Sequence, residues 1–89
     1  MRAVITVVGK DTVGILAKVS NICADNNVNI TEVSQTVLED MFCMIMMADI
    51  SESNVEFTKF SDTLAQLGKE NNLSIHAMHE EIFNSMHRI

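Results

Sequence analysis

The chain opens on an apolar, mostly β-branched run from Ala3 to Val8 that stops at Gly9, the pattern of a first strand. Between Thr12 and Asn26 the period changes. Ile15, Leu16, Val19, Ile22 and Cys23 fall on one helical face and Lys18, Asn21 and Asp25 on another, which predicts a helix with one buried side. Asn26-Asn27 ends it. Val28 to Leu38, rich in Val, Ile and Thr, reads as a second strand, with Glu39-Asp40 as the turn that follows. Met41 to Ile50 is almost wholly apolar, which argues for a strand covered on both faces, by helices on one side and by a second subunit on the other.

Ser53-Asn54-Val55-Glu56 matches the Ser-x-x-Glu capping box, and Phe57, Phe60, Leu64 and Leu67 give the helix that follows an apolar stripe. Gly68 costs that helix about 1 kcal/mol relative to Ala, and Asn71-Asn72 is its expected stop. Leu73 to His79 reads as a short fourth strand. Ile82, Phe83, Met86 and Ile89 then mark a C-terminal helical turn or two, with Glu80-Glu81 at its start, where negative charge favours the helix dipole. This order predicts an α+β, ferredoxin-like βαββαβ fold: a four-stranded antiparallel sheet with two helices on one face, plus a short C-terminal helix. Residues 1–89 read as a single domain without linker, repeat or low-complexity segment.

Composition narrows the possible functions. Eighty-nine residues support one modest core, and chains of this size often gain stability by association, so a homodimer or higher homo-oligomer is expected. A 47% hydrophobic content excludes disorder, and the absence of Pro, Trp and Tyr leaves Met and aliphatic residues to build the interior. With a formal charge of −6 and six scattered Lys and Arg, the chain is not expected to bind nucleic acid. Cys23 and Cys43 lack CxxC spacing and sit in apolar patterns, which predicts reduced core residues of a cytoplasmic protein; a disulfide is the alternative. Val4 to Val8 is too short for a signal sequence, and no apolar run approaches about 18 residues, so neither export nor membrane association is expected.

Chemistry is sparse. The expected central strands offer only Phe42 and methionines, too few aromatics for an RNA-recognition sheet. The first loop carries no Cys for metal carriage. An acyl-phosphate hydrolase would want a cationic anchor there, and Lys10 alone is weak support, the only arginines being Arg2 and Arg88. His76 and His79 are three apart and on a strand point to opposite faces, so with His87 they make a poor metal set. Ser34, Ser51 and Ser53 have no legible base, and turn or capping roles explain the last two. Neither catalysis, nor a cofactor, nor a resident metal is expected.

The remaining candidate is Gly9-Lys10-Asp11-Thr12-Val13-Gly14-Ile15-Leu16, where the first strand gives way to the first helix. First-turn N–H groups offer donors and a partial positive charge to an anion. Asp11 can cap the helix or accept from a ligand's ammonium group, and Gly14, lacking a Cβ, lets a ligand approach the main chain. The same residues fit an ordinary cap, with Asp11 or Thr12 at the helix start and Gly14 easing packing. The octapeptide alone leaves both readings open.

Gly9, Asp11 and Gly14 in this loop, the phrase Ile15-Leu16-Ala17-Lys18-Val19, and Asn29-Ile30 opening the second strand resemble an ACT domain over nearly the whole chain. Asn29 to Thr36 followed by Phe42-Cys43-Met44 is most similar to the branch found in the glycine cleavage system regulator and formyltetrahydrofolate deformylase, in a stand-alone, UPF0237-like form. Val13 stands where many ACT domains carry Pro, a departure this branch shares. The resemblance implies a small-molecule sensing module that pairs side by side or through its helices and binds a small amino acid where the first loop of one subunit meets the second strand of its neighbour. Carried onto this chain, the loop Asp11, Thr12, Val13 and Gly14 forms one side, with the Val13-Gly14 backbone receiving a carboxylate. Asp11 and Asn29 would contact the amino group or a polar side chain, with Asn29 reaching across the dimer.

Such a module would act through an unidentified protein partner or an oligomer, in amino-acid or one-carbon metabolism. Two other readings stand beside it: a ligand-independent interaction module using the Met-rich sheet and the tail, and a metal-responsive regulator using the C-terminal histidines. Asn29 also fits a turn residue bonding nearby backbone. Met41, Met44, Met46 and Met47 fit core and interface filler.

Overall fold

The computed structural model describes residues 1–10 and 13–86; the expectations for Asp11, Thr12, His87, Arg88 and Ile89 lie outside the described residues. Its elements are β1 (Arg2–Gly9), α1 (Ile15–Asp25), β2 (Asn29–Leu38), β3 (Met41–Asp49), α2 (Phe57–Glu70), β4 (Ser74–His79) and α3 (Glu80–Met86). The four strands form one sheet in the order β2-β3-β1-β4, every neighbouring pair antiparallel. This is the predicted ferredoxin-like α+β arrangement.

Alternation along the strands decides the layers. Ile5 lies opposite Met46 and Ala77, and Val7 opposite Met44 and Ile75. These side chains pack against Ile15, Val19 and Cys23 of α1 and Phe60 and Leu64 of α2 to make the core. Full burial of each large apolar side chain stabilises the fold by about 1.5–3 kcal/mol relative to leaving it exposed. Of the five residues expected on the buried face of α1, Ile15, Val19 and Cys23 are buried and Ile22 partly so, while Leu16 is exposed.

The two long helices end by the same device. Asn26 and Asn71 each donate from Nδ2 to the carbonyl four residues back, at 2.8 Å. The next residues, Asn27 and Asn72, take left-handed φ of 57° and 58°. Val28 and Leu73 then donate from N to the Cys23 and Gly68 carbonyls at 2.7 and 2.8 Å, closing a Schellman motif at each end.

The helix starts differ from the expectation. The N-cap of α1 is Gly14, at φ 75°, where the sequence offered Asp11 or Thr12. A left-handed residue cannot continue a right-handed helix, so α1 starts at Ile15, three residues past Thr12. Helix α2 starts at Phe57 with Glu56 as N-cap and no side-chain cap bond, so the capping box is not formed. Ser53 Oγ instead donates to the Val55 carbonyl at 3.0 Å, closing a local turn.

Gly68 has a packing reason. A Cβ there would stand 2.8 Å from the Leu73 carbonyl oxygen and 3.2 Å from the Ile75 nitrogen, so its absence lets α2 lie close to β4.

The outer face of the sheet departs from the expectation of full cover. Met44, Met46 and Ala48 of β3 are buried beneath the helices, whereas Met41, Cys43 and Met47 on the other face are half-buried and Ile45 is exposed. Val4 lies on that outer face between Met47 and Met78, yet is 0% exposed. Helix α3 touches β1 and β4 and neither α1 nor α2, which makes it the element placed to cover Val4. A bidentate ion pair from Arg2 to Glu80, at 3.2 and 2.5 Å, ties its first residue to β1.

Candidate functional site

Because β1 ends at Gly9 and α1 begins at Ile15, the connecting loop stands at one end of the sheet. Gly14 turns the chain into the helix, and its carbonyl accepts from the Lys18 nitrogen at 3.1 Å. Only glycine adopts φ 75° without a steric cost, so its identity follows from backbone geometry. Among the described residues, no atom beyond its two chain neighbours lies within 4 Å of where its Cβ would stand. Val13 is 92% exposed beside it. Asp11 and Thr12 fall outside the described residues.

Neighbouring elements hold this end in place. Lys10 at the foot of the loop pairs with Asp40 of the β2–β3 turn at 3.2 Å. Lys18 Nζ donates to Asn71 Oδ1 at 3.0 Å, joining α1 to the end of α2. A cavity of about 400 Å³ opens beside them, lined by Lys10, Met41, Asn72 and Ser74 among others. Nothing in the sequence pattern announces the Lys18–Asn71 contact, which joins residues 53 apart.

Asn29 is at the other end. It opens β2 opposite Asp49, while Arg2 opposite Asp49 opens β1 and Gly9 opposite Phe42 closes it. Seven residue steps along β1, about 24 Å, separate these ends. Within one chain Val13-Gly14 and Asn29 therefore do not meet. Asn29 is exposed, and among the described residues its side chain makes no hydrogen bond, so it does not take the turn-stabilising role. At this end Asp49 Oδ1 accepts from the Ser51 nitrogen at 2.9 Å, and the Met1 ammonium donates to Ser51 Oγ at 3.0 Å. The Ser51 hydrogen bonds, aided by the terminal ammonium and Arg2, hold the Asp49 carboxyl below the usual range.

Two further cavities, about 350 and 210 Å³, flank Met1 and His79, remote from the loop. His79 stacks on Phe57, ring centroids 4.2 Å apart, while Ser74 Oγ and His76 Nε2 lie 3.0 Å apart. As their spacing requires, the two histidines occupy opposite faces of β4: His76 pairs with Thr6, and His79 with Ala3. Among the described residues no group of three His, Cys, Asp or Glu is placed to hold a metal, and no helix is long and apolar enough to cross a membrane.

The sequence profile described as ACT domain matches residues 2–78. The chain belongs to the ACT-domain family. UPF0237 proteins of Listeria monocytogenes and Clostridium perfringens are each 51% identical to this ACT domain over 89 residues, covering 100% of both chains. Among solved structures, an ACT domain protein from Streptococcus pneumoniae superposes with a TM-score of 0.80 at 38% identity, covering 93% of each chain.

A formyltetrahydrofolate deformylase from Pseudomonas syringae pv. tomato gives 0.75 at 26% identity, over 88% of this chain and 27% of that one. A putative glycine cleavage system transcriptional repressor gives 0.71 at 29%, over 85% and 43%. These are the relatives that Asn29 to Thr36 pointed to, and in both the ACT fold is a portion of a longer chain. The ACT domain is a regulatory ligand-binding module.

Proposed function

We propose that this ACT domain binds a small amino acid between the Asp11–Gly14 loop of one subunit and Asn29 of a second, and passes the bound state to a partner protein in amino-acid or one-carbon metabolism. The observation that carries this reading is Gly14: left-handed, with open space among the described residues where a Cβ would stand, and at the start of α1, where the first backbone N–H groups of a helix have no partner within it. A ligand carboxylate takes the Val13-Gly14 backbone. Asp11 balances the ammonium group, with Asn29 as the further polar contact, and Thr12 completes the loop.

Strand directions explain why a second subunit is needed. Both β1 and β2 run antiparallel to β3, so they run parallel to each other, and Asn29 lies at the end opposite its own loop. A two-fold copy pairing antiparallel along the free edge of β2 brings its Asn29 to the loop end of the first. Exposed Leu16, Val33 and Val37 on the helix side supply apolar surface for that pairing. The sites then come in pairs, each built from both chains.

A ligand of six or seven heavy atoms buries little surface, so affinity falls in the micromolar to millimolar range. The test is thermal stability against a panel of amino acids, with glycine and serine first. A ligand at a hundredfold excess over Kd stabilises the fold by about 2.7 kcal/mol. A selective rise in Tm that disappears in Asp11→Ala is expected; a flat panel at millimolar ligand overturns the proposal.

A further inference from the structure

The two cavities beside Met1 and His79 share those residues as walls and so adjoin across them. They differ in kind. The smaller, about 210 Å³, has Ile50, Val55, Phe57 and Phe60 among its walls, with Ser53 and His79 as its polar side chains. The larger, about 350 Å³, is lined by Arg2, Glu80 and Glu81.

The polar groups around the smaller cavity are committed, with one exception. Ser53 Oγ donates to the Val55 carbonyl at 3.0 Å and accepts from the Val55 nitrogen at 3.4 Å. Arg2 is paired with Glu80, and the Met1 ammonium with Ser51 Oγ. The imidazole of His79 is half-buried and stacked on Phe57, and among the described residues it makes no hydrogen bond or ion pair. A neutral imidazole carries one donor and one acceptor, and side chains of this kind are ordinarily paired once shielded from water. His79 is thus an unused polar group on the wall of an apolar cavity, the combination that small-molecule sites present.

We infer that this cavity is a ligand site for a small neutral molecule with an aromatic or branched apolar body and one hydroxyl, the body among Val55, Phe57 and Phe60 and the hydroxyl bonded to His79. Volume fits such a body, since an apolar cavity of ~150 Å³ already holds benzene. The rings of Phe57 and Phe60 lie 6.4 Å apart at 48°, a tilted pair of the kind that aromatic groups favour as neighbours. Charge selects the head group. Arg2 neutralises Glu80, whereas Glu81 has no cationic partner among the described residues, and the whole chain carries −6. That field disfavours a carboxylate and leaves a hydroxyl. The site stands at the end of β1 opposite Gly9, because His79 pairs with Ala3, and it shares no residue with the amino-acid site proposed for the loop.

The test is titration of the full chain with phenol, toluene and benzoate, followed by amide and methyl NMR. Phenol is expected to give saturable shifts centred on Ile50, Val55, Phe57 and His79, with a Kd in the high-micromolar to millimolar range suited to so small a ligand. Benzoate binds more weakly. His79→Phe keeps a ring against Phe57 and removes the ring nitrogens, so the ratio of phenol to toluene affinity falls about fivefold, the worth of one hydrogen bond. Val55→Phe, which narrows the cavity from a half-buried position, weakens phenol and toluene together and serves if His79→Phe fails to fold. The inference is overturned by the absence of saturable shifts at these residues, by benzoate binding as tightly as phenol, by an unchanged affinity ratio in folded His79→Phe, or by undiminished phenol binding in Val55→Phe.

Discussion

Cys23 and Cys43 occupy opposite sides of the sheet, the first among the core residues of α1 and the second on the outer face of β3, and both are free thiols. Burial pushes the Cys23 thiol up to about 11. The thiolate is the reactive form, so Cys23 is inert while the core is closed. In Cys43→Ser at pH 8, a thiol reagent is expected to label nothing until denaturant opens the fold; labelling of the native protein would contradict the packing of α1. Sequence alone indicated a buried, reduced Cys23, because its position on the apolar stripe was legible. Asp49 was not legible. Its partner Ser51 is an ordinary i to i+2 turn signal, but the Met1 ammonium and Arg2 reach it only through the fold. The depressed acidity of Asp49 contributes stability that is present above its unfolded value of about 3.9 and is lost as pH falls through the lower folded value. The Tm of Asp49→Asn should therefore fall less steeply than the parent's between pH 5 and 2. Parallel acid limbs would show that the Ser51 turn contributes no linkage.

At the scale of elements, helix ends were legible and helix starts were not. Asn-Asn at 26–27 and 71–72 signals a stop because a side-chain amide can cap a carbonyl and asparagine tolerates the left-handed region, which is how both pairs are used. Starts depend on what a cap competes with. Ser53 satisfies itself on Val55, and the left-handed Gly14 resets the chain just before Ile15. Gly68 separates local from tertiary reasoning most sharply. Helix propensity predicts that Gly68→Ala stabilises α2 by about 1 kcal/mol. The Leu73 carbonyl, 2.8 Å from the added Cβ, predicts the reverse, a net loss on the order of 1 kcal/mol once overpacking is included. Chemical denaturation decides between them, and a more stable variant would mean that α2 shifts off β4 without cost.

For the whole molecule, the order of elements and the buried face followed from periodicity, because each strand and helix must place its apolar side on a shared core. The site did not follow in the same way. Asp11 to Gly14 and Asn29 are joined in sequence by one helix, yet Gly14 and Asn29 stand at opposite ends of a sheet whose strands β1 and β2 run the same way. Periodicity says nothing about which subunit completes a site, and that step rests on the free edge of β2. A site shared between chains has a consequence that a site within one chain lacks. On the proposed shared site, Asp11→Ala and Asn29→Ala would each damage every site of their own homodimer. In a mixed dimer both changes fall on one site and leave the other intact. The decisive measurement is calorimetric titration, with the amino acid that stabilises the parent, of the two variants co-refolded in equal amounts. The account predicts no binding by either variant alone and recovery of about one quarter of the parent's sites in the mixture, since half of randomly paired dimers are mixed and carry one intact site of two. A mixture as inactive as its components would contradict the shared site, and binding by either variant alone at the parent's affinity would remove that residue from it.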